Sequence, residues 1–278
     1  MSRRAVDRLF GLLCLGAAGF AALLVVFLLG RVLLDGLPRL NPGFAFGRLS
    51  SRAWRTGVGP AVAGSLWTVA LTALVAVPVG VMAAVYLEEL ADRRTRLARL
   101  VLLNVSNLAG VPGVVYGLLG LAVFVRGMRL GSSVMAAALT LALLVLPTVI
   151  LVTAQALRAV PAGLREASLG LGASPWATIR HQVLPAAAPG ILTGVILALA
   201  RALGETAPLV VVGAVVGVVS APSSPTDRFT TLPVQIFNWS RDADPGFHAA
   251  AAAAIVVLMA ILLAFGALAS WLRARAAR

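Results

Sequence analysis

The chain of 278 residues is 60% hydrophobic and 12% charged, and its mean hydropathy is +0.97. A soluble domain carries about 25% charged residues, so this composition indicates one membrane domain with little room for anything else. The net charge of +13 comes from 23 basic residues, all of them arginine. Without lysine the chain can form neither a P-loop nor a lysine Schiff base. An ATP-driven role would therefore need a second polypeptide to bind ATP.

Six apolar runs are long enough to cross a hydrocarbon core of about 30 Å, which takes about 20 helical residues. They occupy residues 9–34, 62–86, 100–125, 133–155, 189–219 and 249–272. The first run follows three arginines, as a signal peptide does, but it exceeds the roughly 7–15 residues of a signal-peptide core. A retained helix is therefore expected, and the sequence predicts an all-α integral membrane protein with six transmembrane helices.

The arginines favour an orientation with both termini inside. In that orientation the inner segments hold 13 arginines and the outer loops hold eight, as expected for inner loops enriched in positive charge. Their position in loops and at helix ends suits membrane topology better than a nucleic-acid surface, so no nucleic-acid partner is expected. The predicted organisation is an N-terminal helix with an outer loop (1–61), a transmembrane domain (62–272) and a cytoplasmic tail (273–278).

A patterned inner loop, residues 160–190, separates the fourth and fifth spans. A short helical pattern ends at Gly172, which is a natural helix stop, and Pro175 stands near the start of a second short helix. Leu184-Pro185 is expected to close the segment before the fifth span. Such a helix–Gly–helix unit is either an interfacial connector or a docking surface for a soluble partner, and the pattern alone favours neither.

Two opposite charges, Arg201 and Glu205, interrupt the apolar fifth span. A charge at the bilayer centre costs roughly 2.5–3.5 kcal/mol, so the two residues require a cavity or a partner. Residues four apart share one helix face, which lets the two side chains meet. An interruption is predicted at Gly204 and Pro208, because Pro208 lacks the N–H that would bond the Gly204 carbonyl.

The outer loop at 217–247 is rich in Ser, Pro and Asp and contains the segment LPVQIFNWS at 232–240. Two interpretations of this segment stay open. Its apolar side chains either anchor it at the lipid interface, where aromatic residues are favoured, or help to receive a substrate-binding protein. The side chains concerned are those of Val234, Ile236, Phe237 and Trp239.

The inner loop carries a resemblance to a known family. Glu166-Ala167-Ser168, then Gly172 six residues after the glutamate, then Leu184-Pro185, resemble the EAA motif of ABC importer permeases. Ser168 stands where a second alanine is usual. In that family the loop forms the coupling helix that docks in a groove of the ATPase subunit. The resemblance therefore assigns residues 160–188 to ATPase coupling, through Arg165, Glu166, Ala167, Ser168, Gly172, Leu184 and Pro185.

Longer stretches narrow the resemblance to the PstA family of phosphate importer permeases. They lie at 57–89, 110–118, 189–210 and 232–237, and the most specific element is the GETAP sequence at 204–208. The resemblance implies a type I ABC importer permease fold of the MetI-like kind in the inner membrane of a bacterial cell. It implies as partners a second, PstC-like permease, two ATP-binding subunits and an extracytoplasmic phosphate-binding protein. ATP and Mg would bind to the ATPase subunits, so no cofactor is expected in this chain.

The same resemblance makes Arg201, Glu205 and Thr206 candidates for the substrate pathway. A guanidinium offers paired donors that match phosphate oxygens, and Glu205 would compete for it and let the anion leave. The alternative is a structural ion pair that fixes the packing between two permeases.

Other functions have less support. A permease for molybdate or sulfate would share the same features. A secondary transporter or channel would need no ATPase, and the patterned inner loop argues against it. A membrane-embedded enzyme is weaker still, because His181 and His248 are far apart and no metalloprotease motif or acidic cluster occurs. We therefore expect no catalytic residue and no metal site.

Overall fold

The computed structural model describes residues 3–91, 96–214 and 220–276, and within these ranges the chain is helical, without a β-strand. The helices in chain order are α1 (Arg3–Gly36), α2 (Pro42–Phe46), α3 (Gly59–Val85), α4 (Arg96–Leu108), α5 (Gly113–Gly120), α6 (Val134–Arg158), α7 (Ala162–Gly170), α8 (Pro175–Thr178), α9 (Leu184–Leu203), α10 (Ala207–Val212), α11 (Leu232–Trp239) and α12 (Pro245–Ala276). Arg93 and Arg94 from the inner-loop charge count, the end of the predicted fifth span and the last two residues lie outside the described residues.

Five helical stretches of the described chain are long and apolar enough to cross a membrane. They are Phe10–Arg39, Gly59–Leu90, Val134–Arg158, Pro175–Leu203 and Pro245–Arg275. The prediction of an all-α membrane protein is therefore confirmed. The predicted N-terminal helix corresponds to α1, which packs against α12 and leaves most of its apolar side chains from Phe10 to Leu34 exposed.

The third predicted span, 100–125, is not one helix. α4 ends at Leu108 and α5 begins only at Gly113, after which a π-helical turn carries α5 on to Gly127. Pro112 disfavours helical geometry at the residue before it, and Gly110 lowers the helical preference further. The third predicted span is therefore divided into two shorter helices.

The predicted closure at Leu184-Pro185 is also wrong. Helical structure runs without a break from Pro175 to Leu203. A π-helical turn joins α8 to α9 at Ile179–Val183, where the Leu184 N–H donates to the Ile179 carbonyl. Because a π turn widens the helix, it accommodates Pro185, which has no N–H to continue the α-helical pattern. The fifth membrane helix is therefore a direct extension of the inner loop.

The helices define two ends of the molecule. At one end, which we call the α7 end, the last residue of α6 and the π-helical turn Tyr86–Leu90, which forms the end of α3, meet α7. At the other, the α11 end, α2 and α11 pack against the starts of α3 and α12. Between the ends, α6 packs on both α3 and α9. Gly80 and Gly194 permit this, since a Cβ on either would lie within 2.7 Å of a valine side chain of α6, and small residues let membrane helices approach closely.

The outer-loop segment 232–240, which forms α11, is part of the core. Trp239 is only 4% exposed and lies between Phe44 and Phe247, with ring centroids 6.3 and 6.1 Å away. Val234 is buried as well. The interpretation of this segment as a lipid-interface anchor is therefore wrong for these two side chains, while Phe237 remains exposed.

The short helices α5 and α10 are in direct backbone contact. A Cβ on Gly117 would lie 2.8 Å from the Cα of Pro208 and 3.0 Å from the Cβ of Val211. Only a glycine permits this approach. The second half of the broken third span and the second half of the fifth span therefore pack as a pair.

We predict that Gly117→Ala destabilises the chain by about 1–3 kcal/mol, because the added methyl group overlaps the backbone of Pro208. Gly113→Ala is the matched control, since its added carbon would lie 3.4 Å from the nearest atoms. The measurement is the apparent Tm of each detergent-solubilised variant, followed by size-exclusion chromatography after heating. Equal melting of the two variants would contradict the close α5–α10 contact.

Candidate functional site

The fifth span is interrupted between α9 and α10. α9 ends at Leu203, and the N–H groups of Gly204 and Glu205 donate to carbonyls three residues earlier, at 3.0 and 3.1 Å. α10 begins at Ala207 with Pro208 in its first turn. A proline is tolerated there because first-turn N–H groups have no partner within the helix. The chain therefore changes direction between two residues that the sequence marks, Gly204 and Pro208.

Arg201 in the last turn of α9 and Glu205 within the break form a loose ion pair. Arg201 Nε is 3.6 Å from Glu205 Oε1, which is too long for a hydrogen bond. Among the described residues the Arg201 guanidinium makes no hydrogen bond. Its side chain is 66% exposed, against 22% for Glu205, and Thr206 next to them is half-buried. The guanidinium donors are therefore open to an incoming anion.

A small cavity of about 30 Å³ lies beside the pair, between α5, α6 and α9. Its polar lining comes from Tyr116, Thr148, Arg201 and Glu205. A single water needs roughly 10–15 Å³ by this kind of measure, so the cavity has room for two or three waters. It is too small for a hydrated oxyanion.

The Glu205 carboxylate lies against the start of α5. Its Oε2 is 3.4 Å from the position that a Cβ on Gly113 would take. Helix N-termini favour negative charge, so the first turn of α5 stabilises this carboxylate. Across the break between α4 and α5, the Tyr116 hydroxyl donates to the Leu108 carbonyl at 2.8 Å. This hydrogen bond joins α5 to the end of α4. The interruptions of the third and fifth spans thus meet at one place.

At the α7 end, the predicted helix–Gly–helix unit is confirmed. α7 ends before Gly172, whose φ of +87° is in the left-handed region. α8 starts at Pro175. The two helices are held together by a hydrogen bond of 2.9 Å between the hydroxyls of Ser168 and Thr178.

This unit exposes a mixed apolar and acidic surface. The loop face, as we call it, comprises the exposed side chains of Glu166, Leu169, Leu171 and Trp176. Leu171 is 90% exposed, which is unusual for a leucine in a short, well-packed loop. Exposed apolar clusters of this kind mark interaction surfaces.

The other predicted loop residues have different environments. Ala167 and Pro185 are exposed, whereas Leu184 is half-buried against the core of α3, α6 and α9. Arg165 points away from the loop face and pairs with Glu89, through Nη2–Oε1 at 2.6 Å and Nε–Oε2 at 3.1 Å. This hydrogen bonding raises the pKa of Arg165.

A second ion pair lies next to the first one. Arg158 Nε is 3.0 Å from both carboxylate oxygens of Glu88, whose side chain is fully buried. The pair joins the end of α6 to the end of α3. Two acidic residues at the end of one membrane helix thus meet two arginines from the α6–α7 region.

The family follows from a match to known proteins. The family model described as "Binding-protein-dependent transport system inner membrane component" matches residues 76–278. The chain belongs to this family. As a member, it is a multi-pass membrane component of a transport system.

Several curated relatives of this transport component are similar along most of its length. Probable ABC transporter permease protein YqgI of Bacillus subtilis is 34% identical over 210 residues, which cover 75% of this chain and 71% of that protein. Phosphate transport system permease protein PstA of Pasteurella multocida is 31% identical over 207 residues, covering 74% and 73%. PstA 1 of Mycobacterium tuberculosis is 43% identical over 155 residues, which cover 56% of this chain and half of that longer protein.

Solved structures confirm the fold of a type I ABC importer permease. A chain of the MetNI methionine ABC transporter, in an inward-facing form, matches 80% of this chain and 95% of its own length, with a TM-score of 0.62 and 22% identity. A chain of a bacterial ABC transporter involved in alginate import matches 98% of both chains, with a TM-score of 0.66 and 14% identity.

The sequence pattern missed three residues of this transport component, Glu88, Glu89 and Gly113. The adjacent glutamates follow the second predicted span, and the arginines at 158 and 165 follow the fourth. Opposite charges at the same end of two spans could have predicted that these residues form ion pairs. Gly113 follows Pro112, which indicates a helix start. That its backbone meets Glu205 depends on tertiary packing and has no sequence signal.

We predict that Gly172→Ala strains the turn after α7. A left-handed backbone costs an L-residue about 1–2 kcal/mol, and among the described residues no atom lies within 4 Å of the added carbon, so strain is isolated from packing. Gly172→Asn should be milder, because asparagine tolerates this conformation. Hydrogen exchange of the loop amides measures the effect. Faster exchange in the Asn variant than in the Ala variant would contradict it.

Proposed function

We propose that this chain is a permease subunit of an ATP-driven phosphate importer in the bacterial inner membrane, where it forms half of the translocation pathway. The observation that carries the proposal is the open guanidinium of Arg201 at a membrane-helix break. The relatives that are phosphate transport system permease proteins favour phosphate as the anion. In this role the chain moves the anion across the membrane and leaves ATP hydrolysis to partner subunits.

The chemistry of the pair fits a transient anion site. Arg201 offers planar N–H donors that match two oxygens of phosphate, and its exposed side chain is accessible from the pathway. Glu205 competes for the same guanidinium and is held near it by the start of α5. Phosphate would displace the carboxylate on entering, and the carboxylate would return as phosphate leaves. Thr206, beside Glu205, would contribute a hydroxyl to the same path.

A comparison within the chain favours transport over a purely structural pair. Arg165 and Glu89 form two short hydrogen bonds and are largely buried. Arg201 and Glu205 are 3.6 Å apart, and the arginine is mostly exposed. A pair whose purpose is to fix packing has the first geometry, whereas a pair that must open for a substrate has the second.

We predict that Arg201→Ala lowers phosphate uptake by about 10- to 100-fold, since a hydrogen bond to a charged group contributes about 1.5–3 kcal/mol. Glu205→Ala should also lower uptake, because the anion is then held too firmly. The measurement is labelled-phosphate uptake by the full importer in proteoliposomes.

The control for these variants is Arg31→Ala. Arg31 and Asp35 form another pair four residues apart, at 3.8 Å, with both side chains more than half exposed. Loss of that arginine should leave uptake unchanged. Wild-type uptake in either the Arg201→Ala or the Glu205→Ala importer would overturn the pathway role.

The loop face is the proposed docking site for the ATPase subunits, which bind ATP and Mg²⁺. With both termini inside, the α7 end faces the cytoplasm, where these subunits lie, and the α11 end faces the extracytoplasmic phosphate-binding protein. A second, PstC-like permease completes the pathway. The exposed Leu171 and Trp176 support a protein partner at the loop face, because on the aqueous side of the membrane their apolar area would otherwise face water.

We predict that Gly172→Arg and Glu166→Lys lower ATPase association or coupling and leave membrane insertion intact. Co-purification of the ATPase with the tagged permease and transport-linked ATP hydrolysis measure this. Gly131→Arg is the matched control, because Gly131 also has a positive φ and open space around it, at the opposite end. Normal ATPase association and normal uptake in the Gly172→Arg and Glu166→Lys importers would refute the assignment.

A further inference from the structure

The EAA-like motif begins with an arginine that does not belong to the loop face. Arg165 precedes Glu166, yet the two side chains point in different directions: Glu166 is exposed, and Arg165 is directed into the bundle. Four hydrogen bonds use four of the five N–H groups of its guanidinium. Little of its donor capacity is left for a second protein.

These hydrogen bonds join three helices at one side chain. From α7, Arg165 reaches Glu89 at the end of α3 and donates to the carbonyls of Leu157 and Val160, at 2.8 and 2.7 Å. Leu157 lies in the last turn of α6, where carbonyls lack α-helical partners, and its carbonyl also accepts a 3.3 Å hydrogen bond from the Val160 N–H. Val160 follows the helix. Arg165 therefore caps α6 and connects α7 to α3 at the same time.

The neighbouring pair supports this arrangement without involving α7. Arg158 of α6 bonds Glu88 of α3 through both carboxylate oxygens. The ends of α3 and α6 are thus tied to each other by one pair and to α7 by the other. An open pocket of about 540 Å³ lies beside both pairs, so this corner has space on its solvent side.

We propose that Arg165 and Glu89 form the joint through which displacement of α7 reaches the membrane helices, and that Arg165 is a positioning residue rather than an ATPase contact. This inference rests on the proposed function, because it requires an ATPase to move α7. α3 and α6 pack along their length, and α6 packs on α9, which carries Arg201. A push on α7 therefore has a continuous path of packed helices to the proposed anion site.

Buried, bidentate pairs are suited to this task. The Glu89 carboxylate is 8% exposed and is held by two N–H groups in fork geometry, which fixes orientation as well as distance. Flexible surface pairs contribute little and shift easily. With the joint broken, α7 would still present the loop face to the ATPase, but its displacement would no longer be transmitted to α3.

The test uses the complete importer with Arg165→Ala, Arg165→Lys and Glu89→Gln. Arg273→Ala is the control, because it removes one exposed arginine at the cytoplasmic side near the C-terminus. Three quantities are measured: the ATPase-to-permease ratio after purification, ATP hydrolysis with and without loaded binding protein, and labelled-phosphate uptake.

In Arg165→Ala and Glu89→Gln we expect a wild-type ATPase ratio, uptake lowered about tenfold or more, and loss of the stimulation of ATP hydrolysis by the binding protein. The double variant Glu89→Gln/Arg165→Ala should lose no more than the worse single variant, since both changes break one interaction. If Arg165→Ala does not insert, Arg165→Lys and Glu89→Gln decide the question by the same measurements.

Two results would overturn the proposal that Arg165 and Glu89 form this joint. One is loss of the ATPase in step with uptake, which would make Arg165 a docking contact. The other is wild-type uptake and stimulation in both single variants. Failure of the proposed function looks different: the wild-type importer would take up no phosphate, while stimulation of ATP hydrolysis by its cognate binding protein would still report on the joint.

Discussion

The structure depends on one constraint: a membrane helix that is interrupted exposes backbone and charged groups that lipid cannot satisfy. The described residues contain two interrupted spans, with breaks after Leu108 and after Leu203, and the two breaks lie together. The Tyr116 hydroxyl donates to the Leu108 carbonyl across the first break, α5 packs on Pro208 at Gly117, and the carboxylate of Glu205 lies at the start of α5. Protein and a small cavity thus surround the breaks, while the Arg201 guanidinium stays open.

The chain uses the same pair of residue types in two ways. Near the α7 end, arginine and glutamate are close, hydrogen-bonded and buried, and they hold helices together. At the meeting point of the breaks, arginine and glutamate are loosely paired and the arginine is exposed. The free energy of a tight buried pair resists separation, whereas a loose pair can exchange its partner for a substrate anion. The two pairs consist of the same residue types, and their distance and exposure distinguish the joint from the proposed anion site.

Helix breaks and turns were predictable from sequence where they depend on residues that are neighbours along the chain. Gly204 and Pro208 predicted the break in the fifth span, and Gly172 with Pro175 predicted the turn between α7 and α8. Hydrophobic runs predicted the long helices. The third span was predicted as one apolar run, and hydropathy does not register that Pro112 disfavours a helix before it.

Features that depend on distant residues were not predictable in this way. Trp239 in a polar outer loop has the composition of an interface anchor, but Phe44 and Phe247, far away in sequence, enclose it. Arg165 has the position of a docking residue in its motif, but Glu89 from another helix turns it inward. A motif records which residues stand together along the chain and does not record which face each one presents.

The exposure of Arg201 also bears on assembly. In the single chain its guanidinium is open on one side, and a charge facing lipid at this depth would cost roughly 2.5–3.5 kcal/mol. Glu205 offsets that cost only in part, because its Oε1 is 3.6 Å from Arg201 Nε, which is too long for a hydrogen bond. The open side must therefore face water or another protein. A pathway shared with a second permease provides both, since the partner excludes lipid and the space between the two subunits admits water and the anion.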